Sequence, residues 1–289
     1  MARPTEAWLT AQYDNRARVP EAAVLLRRWA EASSLARSQT ECRLDIAYGE
    51  EPGETLDVFP TPTPGAPVLV FIHGGYWRAL DKSDHSFVAP VFADEGALVV
   101  VPNYALCPTV SMERIALQMA RALAWVWRHA AEHGGDPNRI VVAGHSAGGH
   151  LAAMMSCCDW KAVGIDLPRD LVKGALSLSG LHELAPLMRT PFLQRDLRLD
   201  AEAVRRLSPV NFPAPASPLY ALVGSEESEE YKRQAEVLRE AWGARAVPVC
   251  EEVAGCHHFN IVHELCDPES RVHRMARHLL GLRWYSGLL

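Results

Sequence analysis

A serine set between two glycines, a short run of glutamates and a pair of adjacent histidines are the residues of this chain whose types and spacing can do chemistry, and they follow one another in that order. The serine lies in Gly144-His145-Ser146-Ala147-Gly148, which joins the apolar Val141-Val142-Ala143 to the helix-like Gly149-His150-Leu151. A serine hydroxyl serves as a nucleophile when a sharp strand-to-helix turn lifts its Oγ clear of a sheet, and such a turn crowds the positions two before and two after it. Gly144 and Gly148 relieve that crowding. Gly-x-Ser-x-Gly also occurs as an ordinary glycine-rich turn. The two readings separate on whether a base, an acid to orient it and donors for an oxyanion accompany the serine.

Candidates for each are present. His73-Gly74-Gly75-Tyr76-Trp77 ends a buried-strand pattern in a turn whose glycines let backbone N–H groups approach a developing negative charge. Gly75 and Tyr76, with Gly74, are candidate donors there; the alternative is a plain tight loop. Ala147 follows the serine at the start of a helical pattern and offers a further N–H with the helix dipole behind it. For the acid, Glu226, Glu227, Glu229 and Glu230 follow the apolar 219–223. Most glutamates in such a run are solvated or first-turn charges worth ~0.3–1 kcal/mol. Glu227, three residues past Gly224 and just before the expected helix cap Ser228, is the candidate acid, with Glu226 as the alternative. For the base, His257 and His258 follow the last strand pattern, and an ordinary pKa of ~6.5 suits histidine to take and return a proton near neutrality. Serine, acid, histidine is the order along α/β-hydrolase chains.

These residues need a scaffold that gathers strand ends. Alternating patterns at Leu44-Asp45-Ile46-Ala47-Tyr48 and Thr55-Leu56-Asp57-Val58-Phe59 predict two antiparallel starting strands. Continuous apolar runs at 68–72, 98–101, 140–143, 175–178, 219–223 and 247–253 read as strands buried on both faces. Helical patterns at 83–95, 111–133, 147–157, 229–242 and 260–282 alternate with them, which predicts a mostly parallel eight-stranded sheet with helices on both faces, an α/β fold. The stretch 181–212, proline-bearing and poor in strand pattern, is too long for an ordinary connection and reads as a helical cap insertion. An amphipathic pattern over 16–37 makes residues 1–38 an N-terminal helical segment, a candidate lid. One domain over 1–289 is expected.

Taken together, His73-Gly74-Gly75-Tyr76-Trp77, Gly144-His145-Ser146-Ala147-Gly148-Gly149-His150 and His258-Phe259 resemble the kynurenine formamidase (arylformamidase) branch of the α/β-hydrolases, close to the hormone-sensitive-lipase-like esterases. The likeness extends over most of the chain. Asn103-Tyr104-Ala105-Leu106-Cys107-Pro108 stands where those esterases carry a Tyr-Arg-Leu-x-Pro-like segment, and Ser228-Glu229-Glu230-Tyr231-Lys232-Arg233-Gln234 is similar to the formamidase stretch after the acid. The chain departs from the pattern in having Glu227 where aspartate is usual, and Tyr76-Trp77 after a His-Gly-Gly that many esterases follow with glycine. The resemblance implies that His258 of the His-Phe pair is the base rather than His257. It implies a serine hydrolase in which Ser146 takes a small acyl group from an aryl formamide of N-formylkynurenine type, or from an ester, without a cofactor. A general short-chain carboxylesterase is the alternative within that class. Tyr76 and Trp77 would narrow the acyl side of the site; Trp77 and His145 are candidate substrate contacts, Trp77 having packing as its alternative role.

Other classes fit less well. His129-Ala130-Ala131-Glu132-His133 spells the His-x-x-Glu-His of some zinc peptidases, but Gly134-Gly135 would end its helix at once, in an exposed last turn. His257, His258 and His263 are likewise explained by a base beside packing residues, so no metal is expected. A hydrolase-fold binding protein, such as the plant gibberellin receptors, loses the catalytic histidine that is present here. Over 289 residues the formal net charge is −6, which excludes a basic nucleic-acid footprint. The start, Met1 to Trp8, has no signal-peptide core, and no apolar run approaches the ~20 residues of a membrane span. Seven cysteines without Cys-x-x-Cys spacing read as thiols. A cytoplasmic enzyme with a small-molecule substrate is expected, without nucleic-acid or membrane partners; a homodimer stays open.

Overall fold

A strand that is apolar at every position must be covered on both faces, because successive side chains point to opposite sides. That requirement organises the computed structural model, which describes residues 4–282. Met1 to Arg3, part of the start read above, lie outside the described residues. The chain opens with α1 (Glu6–Tyr13), α2 (Asn15–Arg18) and α3 (Ala22–Gln39), then β1 (Arg43–Ala47), β2 (Thr55–Phe59) and β3 (Ala66–Ile72). Two short 3-10 turns lead into α4 (Ala89–Asp94), followed by β4 (Leu98–Pro102), α5 (Met112–His129), β5 (Gly135–His145), α6 (Ala147–Ser156), α7 (Trp160–Val163) and β6 (Val172–Leu178). Between β6 and β7 (Leu219–Gly224) lie α8 (Ala185–Met188), α9 (Pro191–Leu197) and α10 (Ala201–Leu207); α11 (Glu229–Ala246), β8 (Val249–Val253), α12 (Ile261–Cys266) and α13 (Arg271–Leu280) complete the fold.

The eight strands form one sheet in the order β1-β2-β4-β3-β5-β6-β7-β8. β2 runs antiparallel to β1 and β4, and the remaining pairs are parallel. This is the α/β-hydrolase arrangement that the resemblance implies. Strand alternation divides the core in two. Val68, Val70, Ile72, Val142 and Ala221 pack on one face, with Ile115, Met119 and Leu123 of α5 and Leu151 of α6. Leu69, Phe71, Val141, Leu176 and Leu222 pack on the other, with Trp29 of α3, Phe92 of α4 and Val272 of α13. The N-terminal segment joins both cores, through Leu9 and Tyr13 to the first and Trp29 to the second. Among the described residues no helix is long and apolar enough to cross a membrane.

Proline breaks three of the expected helices. The pattern over 260–282 divides into α12 and α13 because Asp267 precedes Pro268 and takes an extended ψ of 110°. Pro20 separates α2 from α3, with Val19 extended before it. Over 83–95 only the part from Ala89 is α-helical, with Pro90 in its first turn, where a missing N–H costs least. In the other direction, β5 begins at Gly135, five residues before its apolar run, because Gly134 turns the chain with φ +90° straight into the sheet.

The parallel strands bring their C-terminal ends to one edge, where Ile72 pairs with Gly144, His145 with Leu178, and Gly224 with Val253. The His-Gly-Gly turn, the Gly-x-Ser-x-Gly turn, the glutamate run and the histidine pair therefore emerge side by side.

Below that edge, His85, His150 and His182 are buried, and loss of hydration depresses their pKa values to about 3, about 4 and about 3. Each stays neutral in the fold but takes a proton near ~6.5 in the unfolded chain, so their contribution is complete above that pH and is lost as the pH falls. Each adds a slope of up to ~1.4 kcal/mol per pH unit in that window. Urea unfolding midpoints should therefore drop sharply between about pH 7 and about pH 5, and equal midpoints at both would contradict this account.

Candidate active site

Ser146 joins β5 to α6 in a conformation that β-carbon-bearing residues rarely adopt, φ +57° and ψ −118°. Its N–H donates to the Leu178 carbonyl at the end of β6 (2.8 Å), and its own carbonyl accepts the first helical bond, from the His150 N–H (3.1 Å). The flanking glycines are required by contact. A Cβ on Gly148 would stand 2.0 Å from the Ile72 carbonyl oxygen, and one on Gly144 would stand 2.1 Å from the Gly148 carbonyl oxygen. Helix α6 thus crosses the end of β3 at a separation only glycine permits.

The Oγ of Ser146 lies 3.1 Å from His258 Nε2, and His258 Nδ1 lies 2.7 Å from Glu227 Oε2. Three elements meet in that chain: the β5–α6 turn, the loop after β7 and the loop after β8. The Glu227 carboxylate is almost wholly withdrawn from water, its side chain 1% exposed. Its other oxygen, Oε1, accepts from the Gly224 N–H (2.8 Å) and from the Ser179 hydroxyl at the end of β6. Buried carboxylates are tolerable when donors satisfy them in this way. Glu226, the alternative acid, is exposed, its backbone N–H donating to the Cys256 carbonyl. His257 is engaged as a brace: its Nδ1 accepts the N–H groups of Phe259 and Asn260, while Asn260 Oδ1 accepts the His257 N–H. A hydroxyl, an imidazole and a carboxylate in this sequence can carry a proton from Oγ to Nε2 as the oxygen attacks a carbonyl.

The hydroxyl opens into a cavity of about 460 Å³ whose walls include Trp29, Tyr76, Phe192, Phe259 and His145. Gly75 and Tyr76 line it beside Ser146; Gly75 has φ +104°, and a Cβ there would meet the Ala79 carbonyl oxygen at 2.0 Å. Gly74 lies closer in, its Cβ position 3.1 Å from Ser146 Cβ. Ala147 is fully buried as the first residue of α6. The turn is held from behind by Tyr104, whose hydroxyl donates to the carbonyls of His73 (2.9 Å) and Gly74 (3.1 Å) and whose ring stacks on His73 at 4.1 Å.

Two expected substrate contacts go elsewhere in whole or in part. Trp77 points into the core, fully buried and edge-on to His150, away from the cavity that Tyr76 lines. His145 does line the cavity, but its Nε2 donates to the His258 carbonyl (2.7 Å), and burial holds its pKa well below the ordinary value, so it is a neutral strut under the histidine loop. The His-x-x-Glu-His residues lie at the far end of α5, where His129 stacks on Trp125 and bonds Glu132.

Several residues of the site carry no motif. Ser179 and Tyr231 reach it from β6 and α11, and Tyr13, Asn15 and Trp29 from the N-terminal segment. Helix α9 supplies Phe192 and Asp196, and Arg78, just past the His-Gly-Gly turn, clasps it by pairing with Asp196 and donating to the Phe192 carbonyl (3.0 Å). The only signal for the N-terminal residues is the amphipathic pattern itself, which marks a packed face and not what it packs on.

Comparison with known proteins bears on the same region and on the whole chain. The BD-FAE family model matches residues 56–167, which span the His-Gly-Gly and Gly-x-Ser-x-Gly turns. Kynurenine formamidase of Danio rerio is 30% identical over 255 residues, covering 85% of this chain and 84% of that protein. Esterase LipQ of Mycobacterium tuberculosis is 30% identical over 241 residues, covering 75% of this chain and 57% of its own length. The crystal structure of a candidate thioesterase from Silicibacter sp. TM1040 is 33% identical and superposes with a TM-score of 0.80, covering 95% of this chain and 98% of that one.

The close crossing of α6 over β3 yields a direct test. Gly148→Ala forces the Ile72 strand end and α6 apart and should lower unfolding stability by at least ~2 kcal/mol in chemical denaturation; an unchanged midpoint would mean the crossing is slack.

Proposed function

This chain belongs to the kynurenine formamidase branch of the α/β-hydrolases, and from that premise we propose that it hydrolyses an aryl formamide of N-formylkynurenine type through an acyl-enzyme on Ser146. The observation that carries this reading is the unbroken hydrogen-bond path from Ser146 through His258 to the buried Glu227, opening into an aromatic-walled cavity. Ser146 Oγ attacks the formyl carbon while its proton passes to His258 Nε2. The imidazolium so formed faces Glu227, whose negative charge stabilises it and whose bond to Nδ1 fixes the tautomer. The N–H groups of Gly75, Tyr76 and Ala147, with Gly74 clearing space against the nucleophile, receive the oxyanion. Collapse of the tetrahedral species breaks the C–N bond as His258 returns the proton to the departing aryl amine. Water, deprotonated by His258, then releases formate and restores the Ser146 hydroxyl. The aromatic walls Trp29, Phe192 and Phe259 suit an aryl leaving group, and α8–α10 together with the N-terminal segment act as its cap. The free cysteines support a cytoplasmic location.

A short-acyl carboxylesterase is the second reading, favoured by the likeness to an esterase over three quarters of the chain. The two diverge in a substrate panel. N-formylkynurenine should exceed p-nitrophenyl acetate and butyrate in kcat/KM, and negligible formamide turnover beside strong ester turnover would install the esterase reading instead. Ser146→Ala and His258→Ala should each lower kcat by at least ~10³-fold, and His257→Ala by no more than about tenfold. Loss in His257→Ala with retention in His258→Ala would reverse the choice of base. If Ser146 fails to label with a fluorophosphonate, as read by intact mass, the chain is a binding protein on a hydrolase scaffold.

A further inference from the structure

Two carboxylates and two guanidiniums line the Ser146 cavity among the described residues, those of Asp14, Asp196, Arg16 and Arg78. Three of the four are engaged. Arg78 pairs with Asp196, which also accepts from Arg195 at 3.3 Å. Asp14 caps α2, its Oδ1 accepting the Ala17 N–H at 3.1 Å. The guanidinium of Arg16 has neither an ion pair nor a hydrogen bond among the described residues. Asp14 does not quench it, since residues two apart in a helical turn do not face each other.

Arg16 extends from a corner that is fixed in place. The buried Asn15 just before it donates from Nδ2 to the Tyr231 hydroxyl (2.9 Å), and the Tyr13 carbonyl accepts from the Tyr76 hydroxyl (2.7 Å). The Tyr13 hydroxyl in turn donates to Glu230 Oε2 (2.7 Å). The backbone beside residue 16 is thereby tied both to α11 and to the His-Gly-Gly turn, while the Arg16 side chain is exposed at the cavity wall. A guanidinium keeps its charge and presents its N–H donors in a planar fork that matches a carboxylate. Around it Leu26, Trp29, Phe192 and Phe259 offer an apolar seat for a ring.

We propose that Arg16 selects acyl substrates that bear a carboxylate away from the scissile carbonyl, binding that carboxylate through its guanidinium. In an aryl formamide of N-formylkynurenine type the group so held is the carboxylate of the amino-acid side chain. An uncharged aryl formamide leaves the guanidinium in water and gains nothing from it. Arg16 takes no part in proton transfer, and an interaction made equally in the ground and transition states acts on KM and leaves kcat alone.

The substrate named here rests on the formamidase reading, and the probes separate the two. N-formylkynurenine is compared with o-formamidoacetophenone, an aryl formamide that keeps the neighbouring ketone and lacks the amino-acid group. Arg16→Gln should raise KM for N-formylkynurenine about fivefold or more with kcat within about twofold, and leave both constants for o-formamidoacetophenone within about twofold. Arg16→Glu should raise KM for N-formylkynurenine further, and Arg16→Lys should recover part of the loss. An equal change for both substrates would make Arg16 a structural residue, and no change for either would leave the carboxylate unrecognised; each result overturns the proposal while Ser146 stands. If the wild-type enzyme turns over neither formamide, the formamidase reading fails first, and p-acetoxybenzoate beside phenyl acetate puts Arg16 to the same test. A rise in KM for the charged ester alone would then uphold the proposal, and any other result would overturn it.

Discussion

The backbone of Ser146 is held at φ +57°, and most of the site's geometry depends on how that conformation is kept. A residue with a Cβ pays of order 1–3 kcal/mol to stay there, so the surroundings must over-determine it. They do so with the Leu178 carbonyl on one side, the α6 bond from His150 on the other, and the contact of Gly148 with the end of β3 above. Two of these restraints come from the strands flanking β5, β6 and β3, and the third from α6 itself. The turn is as rigid as the sheet, and every other component is positioned relative to it.

The second constraint is desolvation. Glu227 and His258 are both nearly sealed from water, a position in which an unsatisfied charge would be ruinous. The carboxylate is satisfied by donors from β6, from the end of β7 and from His258 itself, so the acid loop cannot shift without stranding a charge. Gly224 makes the close return of this loop possible, since a Cβ there would lie 2.2 Å from the Cys256 carbonyl oxygen of the histidine loop. Beneath them the buried imidazole of His145 stays neutral, which lets it donate to the His258 carbonyl without placing a second positive charge beside the imidazolium.

Much of this was legible before any coordinates. The central strands β3 to β7 follow their apolar runs, because a strand buried on both faces leaves a hydrophobic segment, whereas β1 and β2 follow alternating patterns and β8, at the edge of the sheet, carries Glu251 and Glu252 and is only half-buried. Helices were less legible where proline intervenes: the break at Asp267-Pro268 hides in a pattern whose apolar spacing barely changes across it. Side-chain direction was hidden as well. Tyr76 and Trp77 are neighbours of similar character with positive φ angles, yet one lines the cavity and the other fills the core, and only packing, of Tyr76 on Phe192 and of Trp77 on His150, distinguishes them.

The sequence by itself determined the local chemistry: a glycine-relieved turn for Ser146, a His-Gly-Gly turn beside it, and acid and histidine candidates in hydrolase order. Those features are local because they depend on backbone conformation and on residue type within a few positions. Only the tertiary structure decided which glutamate is withdrawn from water, which histidine faces the hydroxyl and which braces the loop, that Tyr13 and Asn15 line the cavity of Ser146, and that Tyr231 lies against His258. Burial and hydrogen-bond partnership are properties of what comes to lie alongside, and here those partners are separated by more than two hundred residues of chain, as with Asn15 and Tyr231.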